Sequence, residues 1–220
     1  MHRFVWDLRY LPPKGARASF RRPSGPLAVP GNYTVRLTAH GKSSSQPLTI
    51  KMDPRVKTPQ DALVRQFELA SKISAREGEV SEAIQQIAEL QKQLGVRKKE
   101  ASDKSDVAKT LDGLNQKLEA MIVSDGDGGF GLYGLAFPRK EPESITKVAS
   151  ALNGLLSIVE SADVGPTADA VTAHEKWDKA AGEALARWAD FQNKDLANAN
   201  AVLQKANLKP VATTETPAGR

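Results

Sequence analysis

The hydrophobic pattern of the chain changes its period near residue 58, and this change limits what each part can form. Before it, apolar and polar residues alternate, as in strands that bury one face; after it, apolar residues recur every three or four positions, as in amphipathic helices. The sequence therefore predicts a mainly α protein with a small β part at 1–57, a helical part at 58–206 and a disordered tail at 207–220.

Three stretches of the first part alternate in the manner of strands. Their apolar positions are Phe4, Trp6 and Leu8, then Tyr33, Val35 and Leu37, then Leu48, Ile50 and Met52. A proline-rich interval from Leu11 to Pro30 predicts a loop, and His40-Gly41 predicts the turn of a hairpin over 33–52. Three strands bury too little apolar surface to be stable alone, so this part is interpreted as half of a sandwich whose missing strands lie upstream of Met1.

Four amphipathic segments follow. Thr58-Pro59 predicts a helix start with a capping hydroxyl, and the first helix should end near Gly95. A polar link over 98–106 should lead to the second helix; the third should run from Pro142-Glu143 to Ala162, and the fourth should start at Pro166-Thr167. Mostly short connections between such helices predict an antiparallel four-helix bundle of the up-down-up-down kind.

The apolar positions of these segments define the predicted core. They are Leu63, Phe67, Ala70, Ile73, Val80, Ile84, Ile87, Leu90 and Leu94; Val107, Leu111, Leu114, Leu118 and Ile122; Ile145, Val148, Leu152, Leu155 and Val159; and Val171, Trp177, Ala181, Leu185, Trp188, Phe191, Leu196, Ala199 and Leu203. Trp177 and Trp188 are interpreted as core anchors rather than as a sugar- or peptide-binding pair, because they recur at helical spacing.

Charge is distributed unevenly. Residues 1–57 carry eleven Lys or Arg against two acidic residues, a net charge of +9, whereas the remainder carries 20 basic and 24 acidic residues, a net charge of −4. The basic segment includes aromatic residues and so leaves nucleic-acid binding open as a minor alternative. A solvated or partner-facing β surface is the preferred interpretation, since Phe4, Trp6 and Tyr33 occupy core-facing positions and no nucleic-acid motif accompanies them.

Composition excludes several classes of protein. The chain has no cysteine, which excludes disulfides, thiolate catalysis and cysteine-based zinc sites. No apolar run approaches the roughly 18 residues that a membrane span needs. Residues 1–20 also lack the order of a signal peptide.

Four short patterns resemble functional sites but lack the context that the chemistry requires. Gly126–Gly131 matches GxGxxG without a preceding strand, and Asp125 with Asp127 lacks the remaining ligands of a calcium loop. Ser144–Lys147 matches SxxK without its companion motifs, so Ser144 is interpreted as a helix cap. His174-Glu175 begins HExxH, but Asp178 replaces the second histidine. The sequence therefore predicts no catalytic residue, no cofactor-binding residue and no metal site.

Three segments resemble a known bacterial family. They are His2–Tyr10 (HRFVWDLRY), Pro30–Leu37 (PGNYTVRL) and Gln46–Arg55 (QPLTIKMDPR). The chain is similar to the C-terminal region of large sortilin-like, BNR-repeat β-propeller proteins often labelled glycosyl hydrolases, in which an immunoglobulin-like (Ig-like) domain precedes a helical region. The resemblance implies an incomplete Ig-like sheet here and an exported parent, periplasmic or secreted. The propeller, its Asp-boxes and its sialidase-like residues are absent from these 220 residues.

We therefore expect a non-catalytic, docking or stabilising accessory region whose partner is the upstream propeller and Ig-like strands, or another protein. The alternative is a free-standing helical adaptor that binds a protein partner through its bundle or through a strand edge. The two differ in behaviour: the fragment should aggregate through residues 1–53 when it is produced alone, whereas the adaptor should be monodisperse.

Overall fold

The computed structural model describes residues 3–13, 25–101, 105–122 and 142–213. Within them the chain is mainly helical, as predicted, and one two-stranded antiparallel sheet precedes the helices. The strands are β1 (Gly31–Ala39) and β2 (Lys42–Ile50), so the predicted hairpin is confirmed. The helices are α1 (Gln60–Glu100), α2 (Ser105–Ile122), α3 (Ile145–Val159), α4 (Ala168–Asp190) and α5 (Ala197–Lys205), with a π-helical segment, Phe191–Leu196, joining the last two.

The strand predicted at Phe4–Leu8 does not form. Leu8 adopts a positive φ of 62°, which interrupts an extended chain, and Phe4 is 89% exposed. The described residues of this segment form a single bridge, between Arg9 and Leu27. Alternation identifies residues that suit a pleated surface, but a strand also needs a neighbour along its length, which these residues lack.

Helix α1 is longer than predicted and starts differently. It continues through Gly95 to Glu100, and Lys98, which was expected in a polar link, is helical. The N-terminal cap position is held by Pro59 without a side-chain hydrogen bond. The Thr58 hydroxyl, which was expected to cap this helix, instead donates to the carbonyl of Asp163 at 2.5 Å, so it links the start of α1 to the connection between α3 and α4.

The arrangement of the helices corrects the predicted up-down-up-down bundle. Helices α1 and α4 run parallel, since Arg76 bonds Asp178 and, ten residues further along both helices, Gln86 bonds Trp188. Helix α2 runs antiparallel to α1, which it meets through the pairs Gln91–Asn115 and Lys98–Asp112.

Helix α3 follows α2 along the same track. The hydroxyl of Thr146, at the start of α3, donates to the carbonyl of Ile122, at the end of α2, over 2.5 Å. At its other end, the carbonyl of Val159 accepts from Gln66 near the start of α1. The helical part is therefore three tracks wide: α1, the end-to-end pair α2 and α3, and the continuous helix from α4 to α5.

The core lies between these tracks. Most of the predicted inward positions are buried, including Ile73, Val80, Ile87, Leu90, Leu118, Val148, Leu152, Phe191 and Leu203, which are all at most 1% exposed. Val171 was predicted to point inward but is 39% exposed. It lies in the first turn of α4, and the buried residues Ala181, Ala184 and Trp188, spaced by three and four, occur only later in this helix.

Two predicted helix starts are confirmed with small shifts. The Ser144 hydroxyl accepts from the Lys147 amide and caps α3, and the Thr167 hydroxyl accepts from the Ala170 amide and caps α4. Both arrangements satisfy a backbone donor that the first helical turn otherwise leaves free.

The π-helical segment adjusts the stripe of the last helix. Buried residues Ala181, Ala184, Trp188 and Phe191 are separated by steps of three or four, but the next one, Leu196, follows after five. A π-helical turn accommodates one extra residue, so Leu196 returns to the buried side. The step of five in the sequence was the signal for this feature.

Residues 207–213, which the sequence assigns to a disordered tail, pack against the helices instead. Val211 is 1% exposed, and Asn200 makes two hydrogen bonds of 2.8 Å with its backbone. Gln93 of α1 bonds the amide and the carbonyl of Ala212 in the same way. Two side-chain amides thus give this irregular segment the backbone partners that a sheet would otherwise supply.

Candidate docking site at the hairpin

The hairpin is built around a two-residue turn. His40 and Gly41 have φ values of 48° and 76°, and two successive positive φ angles are the requirement of a type I′ turn, whose twist suits antiparallel strands. The turn sets a register without bulges, from Ala39 opposite Lys42 to Gly31 opposite Ile50.

The uncovered apolar side chains of the hairpin lie on one face. Because directly opposite residues share a face, Tyr33, Val35 and Leu37 of β1 lie on the same side as Leu48 and Ile50 of β2. The outer half of this face also carries the β2 residues Gln46, Ser44 and Lys42. Val35 is 51% exposed, Leu37 68% and Leu48 36%. The opposite face carries Asn32, Thr34, Arg36 and Thr38 with their β2 partners Thr49, Pro47, Ser45 and Ser43. The exposed apolar side is therefore a property of one face and not of the whole hairpin.

The base of the hairpin is attached to the rest of the chain. The Tyr33 ring meets Trp6 edge to face, with centroids 5.7 Å apart, and its hydroxyl donates to the carbonyl of Val29 at 2.6 Å. Burial raises the pKa of the Tyr33 hydroxyl, and the nearby Tyr10 adds to the rise. Tyr10 in turn packs on Phe67 of α1. The aromatic contacts thus run from the sheet to the first helix.

Glu160, at the end of α3, holds the segment that leads into β1. One carboxylate oxygen accepts from Arg9 at 2.7 Å, and the other accepts from the Leu27 amide at 2.8 Å. Arg9 also donates to the carbonyl of Gly25. A β-carbon at Gly25 would lie 2.4 Å from the carbonyl oxygen of Leu11, so only glycine allows the backbone at residue 25 to lie this close to the backbone at Leu11.

A cavity of about 190 Å³ separates the base of the hairpin from the helix ends. Its walls are mostly apolar, and Gln66 and Glu160 supply polar atoms at its margin. The apolar residues lining it include Leu27, Val29, Ile50, Met52, Leu63 and Phe67. The lining also includes Lys51 and two acidic residues, Glu160 and Asp163, but no group of three His, Asp or Glu side chains, so the described residues present a mostly apolar crevice.

The Asp53-Pro54-Arg55 segment connects the sheet to α1. Asp53 accepts from the Arg55 amide at 2.9 Å and from its guanidinium, with a shortest distance of 2.6 Å. These bonds from Arg55 hold the pKa of the Asp53 carboxyl below its usual range. The pair is exposed, so we interpret it as fixing the local backbone conformation of the connection between the sheet and α1.

Among the described residues, the side chains of the SxxK and HExxH look-alikes are mostly engaged in other contacts. Lys147 bonds Glu143 at 2.9 Å, while the Ser144 hydroxyl serves the helix start. Asp178 is engaged by Arg76, and the buried Nε2 of His174 has no hydrogen-bond partner among the described residues. Gly126–Gly131 with Asp125 and Asp127 lies outside the described residues. Where the structure describes the chain, no three His, Asp or Glu side chains are grouped to hold a metal ion.

The two tryptophans of α4 differ in their surroundings. Trp188 is buried, stacks on Phe191 with centroids 5.6 Å apart and donates to Gln86 at 3.1 Å. Trp177 is half-buried against the core and lies under the ammonium of Lys176, 4.9 Å from its ring centroid. Core packing is confirmed for Trp188 and is partial for Trp177.

None of the described helices has the length and apolarity needed to cross a membrane. Comparison with family models, with curated proteins and with solved structures found no match to this chain.

Proposed function

We propose that this chain is a non-catalytic accessory region that docks onto a larger protein through its hairpin. The observation that carries the proposal is the exposed apolar face of Val35, Leu37 and Leu48 on a hairpin whose base is firmly held. Exposed apolar faces of this kind mark sites of protein interaction, because their burial is favourable and their exposure to water is costly.

The parent is proposed to be an exported, sortilin-like BNR-repeat β-propeller protein of the kind often labelled glycosyl hydrolases, located in the periplasm or secreted. The hairpin would be part of an incomplete Ig-like sheet. Support comes from the WDLR, GNYTVRL and DPR segments, of which the second forms most of β1 and the third forms the connection to α1.

A direct test separates the parent from other partners. The coding sequence upstream of Met1 should continue in frame into strands and propeller repeats, and that upstream region, produced as a separate chain, should form a 1:1 complex with residues 1–220 in size-exclusion chromatography. The double substitution Val35→Glu and Leu37→Glu should abolish the complex. The exposed Val96→Glu, near the end of α1 that lies away from the hairpin, is the matched control and should leave it intact.

An upstream stop codon close to Met1 would overturn the proposed parent. A complex that forms equally well with the Val35→Glu, Leu37→Glu variant would overturn the docking role of the hairpin.

A second candidate is a free-standing helical adaptor. It is favoured by the helical part itself, which has a continuous core, and by residues 207–213, which close onto it. This candidate predicts a monodisperse protein when the chain is produced alone. The accessory-region proposal predicts concentration-dependent aggregation that Val35→Thr with Leu37→Thr relieves, and light scattering distinguishes the two.

A further inference from the structure

The two edges of the hairpin differ in their capacity to accept another strand. The two-residue turn closes on the pair Ala39–Lys42, which is therefore a hydrogen-bonded pair, and pairs then alternate along an antiparallel ladder. Residues 31, 33, 35 and 37 of β1 consequently bond to β2. The N–H and C=O groups of Asn32, Thr34, Arg36 and Thr38 point away from β2, to the outer edge of β1.

The outer edge of β2 is interrupted. By the same alternation, its outward groups belong to residues 43, 45, 47 and 49, and residue 47 is a proline without an N–H. Pro47 lies opposite Thr34 in a pair that needs no hydrogen bond, which explains why the hairpin tolerates it. Proline at an edge position is one of the ways in which sheets resist further pairing. A strand added at the β2 edge would therefore have no N–H donor at residue 47, in the middle of that edge.

The outer edge of β1 is intact. Each of its four outward residues has both an N–H and a C=O, and none has a backbone hydrogen-bond partner among the described residues. The one charged residue of β1 is Arg36, which lies on the polar face; Lys42 lies in β2 on the other face, Lys51 follows β2, and residues 31–52 include no acidic residue. Arg36 is exposed and has no ion pair among the described residues.

We propose that the β1 edge accepts an acidic, amphipathic strand of the partner protein. Such a strand would complete the outward hydrogen bonds of residues 32–38. Its apolar side chains would extend the face of Val35 and Leu37 and reduce its exposure, and its acidic side chains would lie on the opposite face beside Arg36. The inference rests on the proposed docking role and adds to it the edge, the conformation and the charge of the bound segment.

A second copy of this chain fits the edge less well. Pairing two β1 edges would bring together two strands that each carry Arg36 and no acidic residue. Like charges across neighbouring strands are unfavourable, whereas acidic residues at the same positions attract. The charge of the hairpin therefore favours a partner of opposite sign over self-association.

The test uses the whole chain and two labelled eight-residue peptides, one alternating Val with Glu and the other alternating Val with Lys. Fluorescence anisotropy would measure binding to the unmodified chain and to two matched proline variants. Thr34→Pro removes an outward donor of β1, and Ser45→Pro removes an outward donor of β2; neither residue donates within the hairpin. Hydrogen exchange at the inward amides of Val35 and Leu48 would verify that each variant keeps its hairpin.

We expect the affinities of the Val/Glu peptide for the unmodified chain and for the Ser45→Pro variant to agree within twofold. Its affinity for the Thr34→Pro variant should be at least tenfold lower. Arg36→Glu, which leaves the backbone unchanged, should reverse the preference toward the Val/Lys peptide. Equal weakening by both proline variants, or equal binding of both peptides to the unmodified chain, would overturn the proposal. A dimer in light scattering that Thr34→Pro dissociates would assign the edge to a second copy and also overturn it.

These outcomes are separable from the failure of the proposed function. An upstream region that requires Val35 and Leu37 but is indifferent to Thr34→Pro would leave docking intact and refute strand addition. Peptide binding with the expected edge and charge dependence, without binding of the upstream region, would refute only the proposed parent.

Discussion

Glu160 is the residue that most directly links the β part to the helices. Both of its carboxylate oxygens are engaged, one by Arg9 and one by the Leu27 amide, and its side chain is 10% exposed. Glu160→Ala should lower stability by about 2 kcal/mol, since it leaves the Leu27 amide without an acceptor and leaves Arg9 with the Gly25 carbonyl alone. Hydrogen exchange should show faster exchange at Leu27 and Ala28, whereas Glu183→Ala, an exposed residue of α4, should change neither. Unchanged exchange at Leu27 would refute the role of Glu160.

Asp178 offers a test by pH at the same scale. The hydrogen bond from Arg76 lowers the pKa of the Asp178 carboxyl, partly offset by its desolvation, so the folded state binds the proton less tightly than the unfolded one. The stabilisation from this pair is therefore complete above the ordinary carboxyl range and is lost as the pH falls through the lowered pKa.

Arg76→Gln should raise the pKa of Asp178, measured by carboxyl carbon NMR, and should cost stability at neutral pH, with the cost decreasing as the pH falls through the lowered pKa. Arg65→Gln is the matched control. Arg65 bonds Asp61 and lowers its pKa, so this variant should raise the pKa of Asp61 and leave the pKa of Asp178 unchanged. A pKa of Asp178 that stays the same in Arg76→Gln would refute the assignment of the shift to Arg76.

Among the elements, the π-helical segment makes the sharpest prediction. Deleting Asn193, an exposed residue within it, would convert the step from Phe191 to Leu196 from five residues to four and restore a regular helical stripe. The deletion should cost less than about 1 kcal/mol, because the core residues on both sides keep their faces.

Deleting exposed Glu183 is the contrasting control, because α4 has no extra residue there. This deletion would rotate one side of the helix by about 100° relative to the other and misplace several core residues, so we expect a loss of more than about 3 kcal/mol. Thermal unfolding followed by circular dichroism would rank the two. Similar losses from both deletions would show that the π-helical segment does not act as a removable insertion.

At the scale of the whole molecule, residues far apart in sequence close the helical part. Val211 is buried although it lies beyond the last helix, and its backbone is bonded by Asn200 while Gln93 of α1 bonds Ala212 next to it. Val211→Ala should destabilise the protein by about 2 kcal/mol through lost apolar burial. Lys209→Ala, at an exposed site two residues away, should stay within about 0.5 kcal/mol in chemical denaturation. Equal effects would show that the segment contributes nothing to the core.

The sequence by itself determined which residues face inward and where most elements lie. Steps of three and four marked the described buried positions of α2 and α3 and seven of the thirteen in α1, where most of the missed ones are small residues. His40-Gly41 marked the turn, because side-chain periodicity and positive φ are local properties. The Ser144 cap and the helix start at Pro166-Thr167 were visible for the same reason.

Only the tertiary structure decided how the elements are arranged. Periodicity defines the buried face of a helix but not its direction, so it could not reveal that α2 and α3 share a track or that α1 and α4 run parallel. The alternation at Phe4–Leu8 did not produce a strand. A strand needs hydrogen-bonding neighbours, which come from residues distant in sequence, and this segment has none along its length among the described residues. Val211 is buried for the same reason: Asn200 and Gln93 supply its segment with partners that no local pattern encodes.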